Sequence, residues 1–252
     1  MGDPRASVRR AQLERDGTPL LAATGVVRRY PGRVGVMAVR GASLELRPRD
    51  FVALMGPSGS GKTTFLGVLS GLDRPNEGEV RWRGERVAAL SHDASMQLRR
   101  RGMGVVFQSF GLLPALSAVE NAELPLRVAG ESPTVARTRA EEWLERLGLA
   151  DRLHNRTFEL SAGQQQRVAV ARALITDPDV VLADEPIAEV DTENADLILE
   201  ALWDVVRRDG AVLAATHNPE VLRFASRVVL FRDGAVEAEG TPAELAAQIT
   251  TD

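Results

Sequence analysis

Apolar positions recur along this chain with two different periods, and the period changes from segment to segment. Alternating or short continuous apolar runs predict strands at residues 24–29, 42–46, 51–55, 104–107, 180–183, 211–215 and 227–231. Val80 and Trp82 alternate with Arg81 and Arg83 in a further short strand that stops at Gly84. Asp233 and Gly234 predict a tight hairpin turn into a last strand over 235–239. Helical spacing marks residues 63–69, 164–174 and 193–208. Strands alternating with helices predict an α/β fold built on a mostly parallel sheet.

From about 110 to 163 the texture shifts to an Ala/Glu/Arg-rich segment, with Val135, Ala140, Trp143, Leu144 and Leu147 at helical intervals. This predicts an inserted helical subdomain. Pro114 and Pro125 argue against a continuous helix at its root. Phe110, Leu112, Leu113, Leu124 and Leu126 are therefore expected on an irregular apolar surface, serving either as core or as a docking groove for a partner helix. Residues 1–20 lack periodicity and read as a flexible extension, and residues 241–252 as a tail.

Composition removes several function classes. With 252 residues, 44% of them hydrophobic, the chain can bury a sizeable core without covalent staples. A net charge of −4 gives no polybasic footprint for nucleic acid. The absence of cysteine excludes disulfide scaffolds and thiolate metal sites. No apolar run approaches the ~20 residues of a membrane helix, and the Arg-rich start lacks the apolar stretch of a signal peptide.

One segment carries strong chemistry. Gly56, Pro57, Ser58, Gly59, Ser60, Gly61, Lys62, Thr63 and Thr64 fit the phosphate-loop pattern G-x-x-x-x-G-K-[ST], between an apolar strand and a helix. The glycines let backbone N–H groups turn inward onto phosphate oxygens, and the helix N-terminus adds its dipole. Lys62 is the only lysine among 31 basic residues, so it does something arginine cannot. A compact ammonium reaches the β- and γ-phosphates where a planar guanidinium does not fit. Thr63 offers its hydroxyl to Mg²⁺. Downstream, an apolar strand delivers Asp184 and Glu185 at its C-terminal end, where open α/β sheets bind ligands. Asp184 is placed to hold the shell of Mg²⁺ and Glu185 to polarise the attacking water; taken alone, both could be ordinary solvated carboxylates. Gln108 and His217 also follow strands, but by themselves they indicate nothing.

Leu160-Ser-Ala-Gly-Gln-Gln-Gln-Arg167 resembles the signature sequence of ATP-binding cassette (ABC) ATPases, with Ala162 in place of the first glycine and Ser161, Gly163 and Gln164 retained. Physically, Ser161 can cap a helix beginning near Gln164 and leave N–H groups for an anion, although a plain cap would look the same. Further matches follow in the family's order. Tyr30 resembles the aromatic that stacks on adenine, Gln108 the Q-loop glutamine, Ala188-Glu-Val-Asp191 the D-loop, and His217 the switch histidine that touches γ-phosphate. The resemblance spans residues 21–240.

It implies a P-loop NTPase core of the RecA type, with a small antiparallel β subdomain and the inserted helical subdomain. It also implies a head-to-tail homodimer binding ATP and Mg²⁺. Lys62, Thr63, Gln108, Asp184, Glu185 and His217 would act in cis, with Thr63, Gln108 and Asp184 around the metal; Ser161, Gly163 and Gln164 would act in trans. The segments around Gln108 and Val119, the stretch Gly71-Leu-Asp-Arg-Pro75 and the arginines at 99–101 resemble ATPases of lipoprotein release, macrolide export and cell division. The expectation is an ATPase subunit on the cytoplasmic face of the cell membrane, held by a separate transmembrane permease and powering export or extrusion. The alternative is a non-transporting cassette that signals through a membrane partner to extracytoplasmic cell-wall enzymes.

Overall fold

The computed structural model describes residues 17–32, 35–87 and 102–249. Most of the expected N-terminal extension, the arginines at 99–101 and the last three residues of the tail lie outside the described residues.

Two sheets form the frame. The smaller is antiparallel, in the order β2 (Val36–Leu46), β1 (Leu21–Tyr30), β4 (Glu77–Trp82), β5 (Glu85–Arg86). The larger has six strands: β10 (Ala235–Gly240), β9 (Arg227–Arg232), β3 (Phe51–Met55), β8 (Ala211–Thr216), β7 (Val180–Asp184) and β6 (Met103–Val106). Its strands are parallel except for the β9–β10 hairpin. Asp233 and Gly234 both have positive φ at that turn, as a two-residue turn between right-twisted strands requires.

The central strands are apolar throughout because both of their faces are covered. In β3, Phe51, Ala53 and Met55 join one core, whereas Val52 and Leu54 join another. The first core holds α2 (Ala118–Val128), α3 (Pro133–Arg146), α4 (Ala162–Leu174) and α5 (Thr192–Arg207). The second holds α1 (Lys62–Leu69) and the antiparallel sheet. Removing a buried leucine from either would cost about 2–5 kcal/mol.

The root of the helical region differs from expectation. Pro125 lies inside α2, which continues unbroken to Val128. The ring removes one hydrogen bond near the helix end, while two other features hold α2 in place. Ser117 and Glu120 form a reciprocal capping box, and Ala118, Val119, Ala122 and Leu126 are buried. Asn121, fully buried, fastens the preceding loop: its Oδ1 accepts from Leu113 N–H at 2.8 Å, and its Nδ2 donates to the Leu113, Leu116 and Ser117 carbonyls. The irregular segment is thus the loop before Ser117, and the surface beyond it is helical.

Candidate functional site

Parallel register gathers the site at one edge of the large sheet. Met55 pairs with Thr216 and Asp184 with Ala215, so the C-terminal ends of β3, β7 and β8 lie level. The Glu185 N–H extends the pairing by donating to the Ala215 carbonyl at 2.8 Å. The phosphate loop, both carboxylates and His217 all leave the sheet from this edge.

Between Met55 and α1 the chain winds tightly against its surroundings. Gly61 has φ 103°, and a Cβ there would lie 2.2 Å from the Ala38 carbonyl oxygen, so only glycine fits. Lys62 Nζ donates to the carbonyls of Gly56 at 2.6 Å and Pro57 at 3.0 Å. Ser60 Oγ is buried without a hydrogen-bond partner. A buried ammonium, an orphaned hydroxyl and the free N–H groups of a helix start all call for an anion. The loop borders a cavity of about 420 Å³, within the range of small-ligand sites. Ser58, Gly59, Ser60, Gly61, Lys62, Thr63 and Thr64 line it, with Gln108, Asp184 and Glu185 opposite.

The charges inside this cavity perturb one another. Burial lowers the Lys62 pKa, and nearby Glu185 and Asp184 partly restore it. Burial raises that of Asp184; the Thr63 hydroxyl opposes the rise by hydrogen bonding, Glu185 adds to it and Lys62 opposes it. A carboxylate held against a threonine hydroxyl beside an anion cradle fits Mg²⁺, which needs few protein ligands when phosphates and water complete its octahedron. Among the described residues no cluster of three or more His, Cys, Asp or Glu side chains forms a self-sufficient metal site. The fit is therefore to a metal that arrives with a phosphate ligand.

Glu185 has φ 48°, a left-handed conformation uncommon for this residue type. Its Oε1 lies 2.8 Å from His217 Nδ1, and its Oε2 accepts the Thr216 hydroxyl at 2.8 Å. The family resemblance implies a phosphate contact for His217; here its ring meets the carboxylate. Tyr30 is not among the residues that line the cavity. Its hydroxyl donates to Asp73 Oδ2 at 2.7 Å and the Arg28 guanidinium lies 4.4 Å from its ring centroid, while Val36 and Met37 do border the cavity.

The signature lies elsewhere on the subunit's surface, at the start of α4, which begins at Ala162 and so earlier than expected. Ser161 Oγ accepts from Gln164 N–H and Gln164 Oε1 from Ser161 N–H, closing a capping box. The Ala162 and Gly163 amides in the first turn have no intrahelical acceptor. A Cβ on Gly163 would lie 2.9 Å from the Glu189 carbonyl oxygen, which explains why glycine persists there while Ala162, half-buried, tolerates a methyl. Thr216, Asn121 and the cavity-lining Val36 and Met37 escaped sequence reasoning. For Thr216 the available signal was a hydroxyl ending an otherwise apolar run.

Residues 39–188 match the ABC transporter family. Over 82% of its length the chain is 46% identical to an uncharacterized ABC transporter ATP-binding protein of Thermotoga maritima, covering 88% of that protein. It is likewise 46% identical to the lipoprotein-releasing system ATP-binding protein LolD of Maricaulis maris, over 85% of this chain and 95% of that one. Identity to the macrolide export ATP-binding/permease protein MacB of Marinobacter nauticus is 41% over 90% of the chain, but the match spans only 35% of that longer relative. Among solved structures, the ATP-binding cassette MJ0796, dimeric in a post-hydrolysis state with ADP and Pi, superposes with a TM-score of 0.83 at 38% identity, covering 88% of this chain and 98% of that one.

Proposed function

Because the chain belongs to the ABC transporter family and is an ABC-type ATPase, we propose that it hydrolyses ATP between two copies of itself and drives a separate transmembrane permease. The observation that carries this reading is the convergence of the phosphate loop, Gln108, Asp184 and Glu185 on one cavity. Loop amides, Lys62 and the Ser60 hydroxyl bind the phosphates. Thr63, Asp184 and Gln108 would hold Mg²⁺, which when bound would supply charge neutralisation at the phosphate oxygens. Glu185 orients a water and takes its proton as the water oxygen bonds to the γ-phosphorus and the bond to the ADP oxygen breaks. His217, 67% exposed at its side chain, turns from Glu185 to the γ-phosphate. Most of the rate comes from positioning and charge stabilisation.

The site is incomplete in one subunit. Ser161, Gly163 and Gln164 lie outside the cavity-lining set, and the first-turn amides of α4 await an anion from the partner copy. The dimeric relative bound to ADP and Pi supports this arrangement. The permease contact is a groove lined by Leu72, Phe107, Leu124, Pro125 and Val128, directly beside Gln108. Phe110, named from the sequence as a docking residue, does not line it and is half-buried. The names of the LolD and MacB relatives, a lipoprotein-releasing system and a macrolide exporter with a permease part, support export or extrusion; a permease partner would place the chain on the cytoplasmic face of the membrane.

Mixing subunits tests the composite site. Ser161→Arg and Lys62→Ala homodimers should each be inactive, whereas a heterodimer retains one intact site. Partial recovery of ATPase activity on mixing is expected; no recovery, with both proteins folded, contradicts the head-to-tail reading.

A further inference from the structure

We propose that Thr216 is a positioning residue for hydrolysis, its hydroxyl anchoring one oxygen of the Glu185 carboxylate while the other oxygen exchanges partners. The inference rests on Glu185 acting on the attacking water.

Three observations carry it. First, the hydrogen bond runs from the hydroxyl to the carboxylate, because an ionised carboxylate can only accept. Thr216 Oγ1 accepts the backbone N–H of Asn218 at 2.9 Å, and its single proton is directed at Glu185 Oε2, 2.8 Å away. Thr216 is fully buried, so no solvent competes for that proton. Second, the support is rigid. Thr216 ends β8, a strand flanked by β3 and β7, and the branched Cβ restricts χ1. Register sets it beside Glu185, one step beyond the Asp184–Ala215 pair.

Third, the two partners of the carboxylate are unequal. His217 is largely exposed at its side chain, whereas Glu185 is 10% exposed and Thr216 is buried. The exposed histidine can leave Oε1 and be solvated itself, its place on Oε1 being taken by the water, whereas loss of the threonine contact would strand a buried hydroxyl proton with no substitute. When His217 turns to a γ-phosphate, Oε1 becomes available to the water while Oε2 stays on Thr216. The carboxylate is thereby aimed without having to reorganise during the reaction. The left-handed backbone of Glu185 makes such an anchor useful, because a sparsely populated conformation persists only where its surroundings impose it.

The test measures phosphate release and nucleotide affinity of the full chain in five variants. Thr216→Val keeps the shape and removes the hydroxyl; it should lower kcat roughly tenfold or more while KM and ATP affinity stay within about twofold. Thr216→Ser should recover most of the rate, and Thr216→Ala should repeat the valine result should valine distort the strand. Glu185→Gln should be nearly inactive, and adding Thr216→Val to it should cost nothing more, since both changes act through one carboxylate. Parental kcat in Thr216→Val and Thr216→Ala, a serine variant as slow as valine, or an additive loss in the double variant overturns the proposal. Parental turnover by Glu185→Gln instead overturns the role of Glu185, so the two failures are distinguishable.

Discussion

At the scale of single residues, Lys62 illustrates how composition and geometry combine. A chain that otherwise uses arginine keeps one lysine, and its ammonium sits 2.6 Å from the Gly56 carbonyl inside a close-fitting loop. Lys62→Ala should weaken ATP binding by roughly 10- to 100-fold, the equivalent of losing one charge-assisted hydrogen-bond group. Lys62→Arg should not restore it, because the planar fork is too wide for the loop. Titration with a fluorescent nucleotide would show both, and arginine binding at the parental level would refute the steric account. The identity of Lys62, Thr63, Asp184 and Glu185 was legible in order and spacing alone. Thr216 was not, since a hydroxyl at a strand end means little until the neighbouring strand is known.

At the scale of elements, α2 shows why proline counting misled. Its start is fixed by Ser117 and Glu120 and its buried face by Ala118, Val119, Ala122 and Leu126, so one missing hydrogen bond at Pro125 does not end it. Ser117→Ala should destabilise the protein by about 1 kcal/mol, lowering Tm by roughly 2–4 °C. The cap also carries a pH signature. The Ser117 N–H, then its hydroxyl, hold the Glu120 carboxyl below the usual range. With the folded value below the unfolded one, protonation favours the unfolded chain. The stabilisation is therefore present above the ordinary glutamate range and lost as pH falls through the lowered value. Because the Ser117 N–H survives Ser117→Ala, the pH test uses Glu120→Gln: its thermal melts and the parent's should draw together as pH descends, and an undiminished gap in acid would discount the carboxylate's part in the cap.

At the scale of the whole molecule, the phosphate cavity and the apolar groove lie on either side of the segment that carries Phe107 and Gln108. On the proposed function, this short stretch is the route from the γ-phosphate to the groove, and the Asn121 hydrogen bonds fasten the loop that follows it. Val128→Asp places a charge on a side chain already half exposed at the groove's rim. The isolated subunit should keep its ATPase rate within about twofold, because the residue lies outside the nucleotide cavity, while stimulation by the co-expressed permease should fall severalfold. Full stimulation would move the docking site elsewhere.

The sequence by itself determined the phosphate-loop pattern and the paired carboxylates that the structure brings to one cavity, because local patterns encode them: a glycine-rich loop needs no distant partner to be recognised. It also determined the alternation of strands and helices, since apolar periodicity reports burial directly. Most strand boundaries followed within a few residues and β3 coincided end to end with its apolar run, but β2 reaches back to Val36, well before its expected start at Ala42, and the short strand Glu85–Arg86 left no apolar signal. Only the tertiary structure decided contacts between segments distant in the chain. The pairing of Thr216 and His217 with Glu185 depends on β8 lying beside β7, and the tether of Tyr30 to Asp73 on the end of β1 meeting the turn after α1. The tolerance of Ala162 beside an obligatory Gly163 depends on where Glu189 packs. Register and packing set these distances, and no window of local sequence contains them.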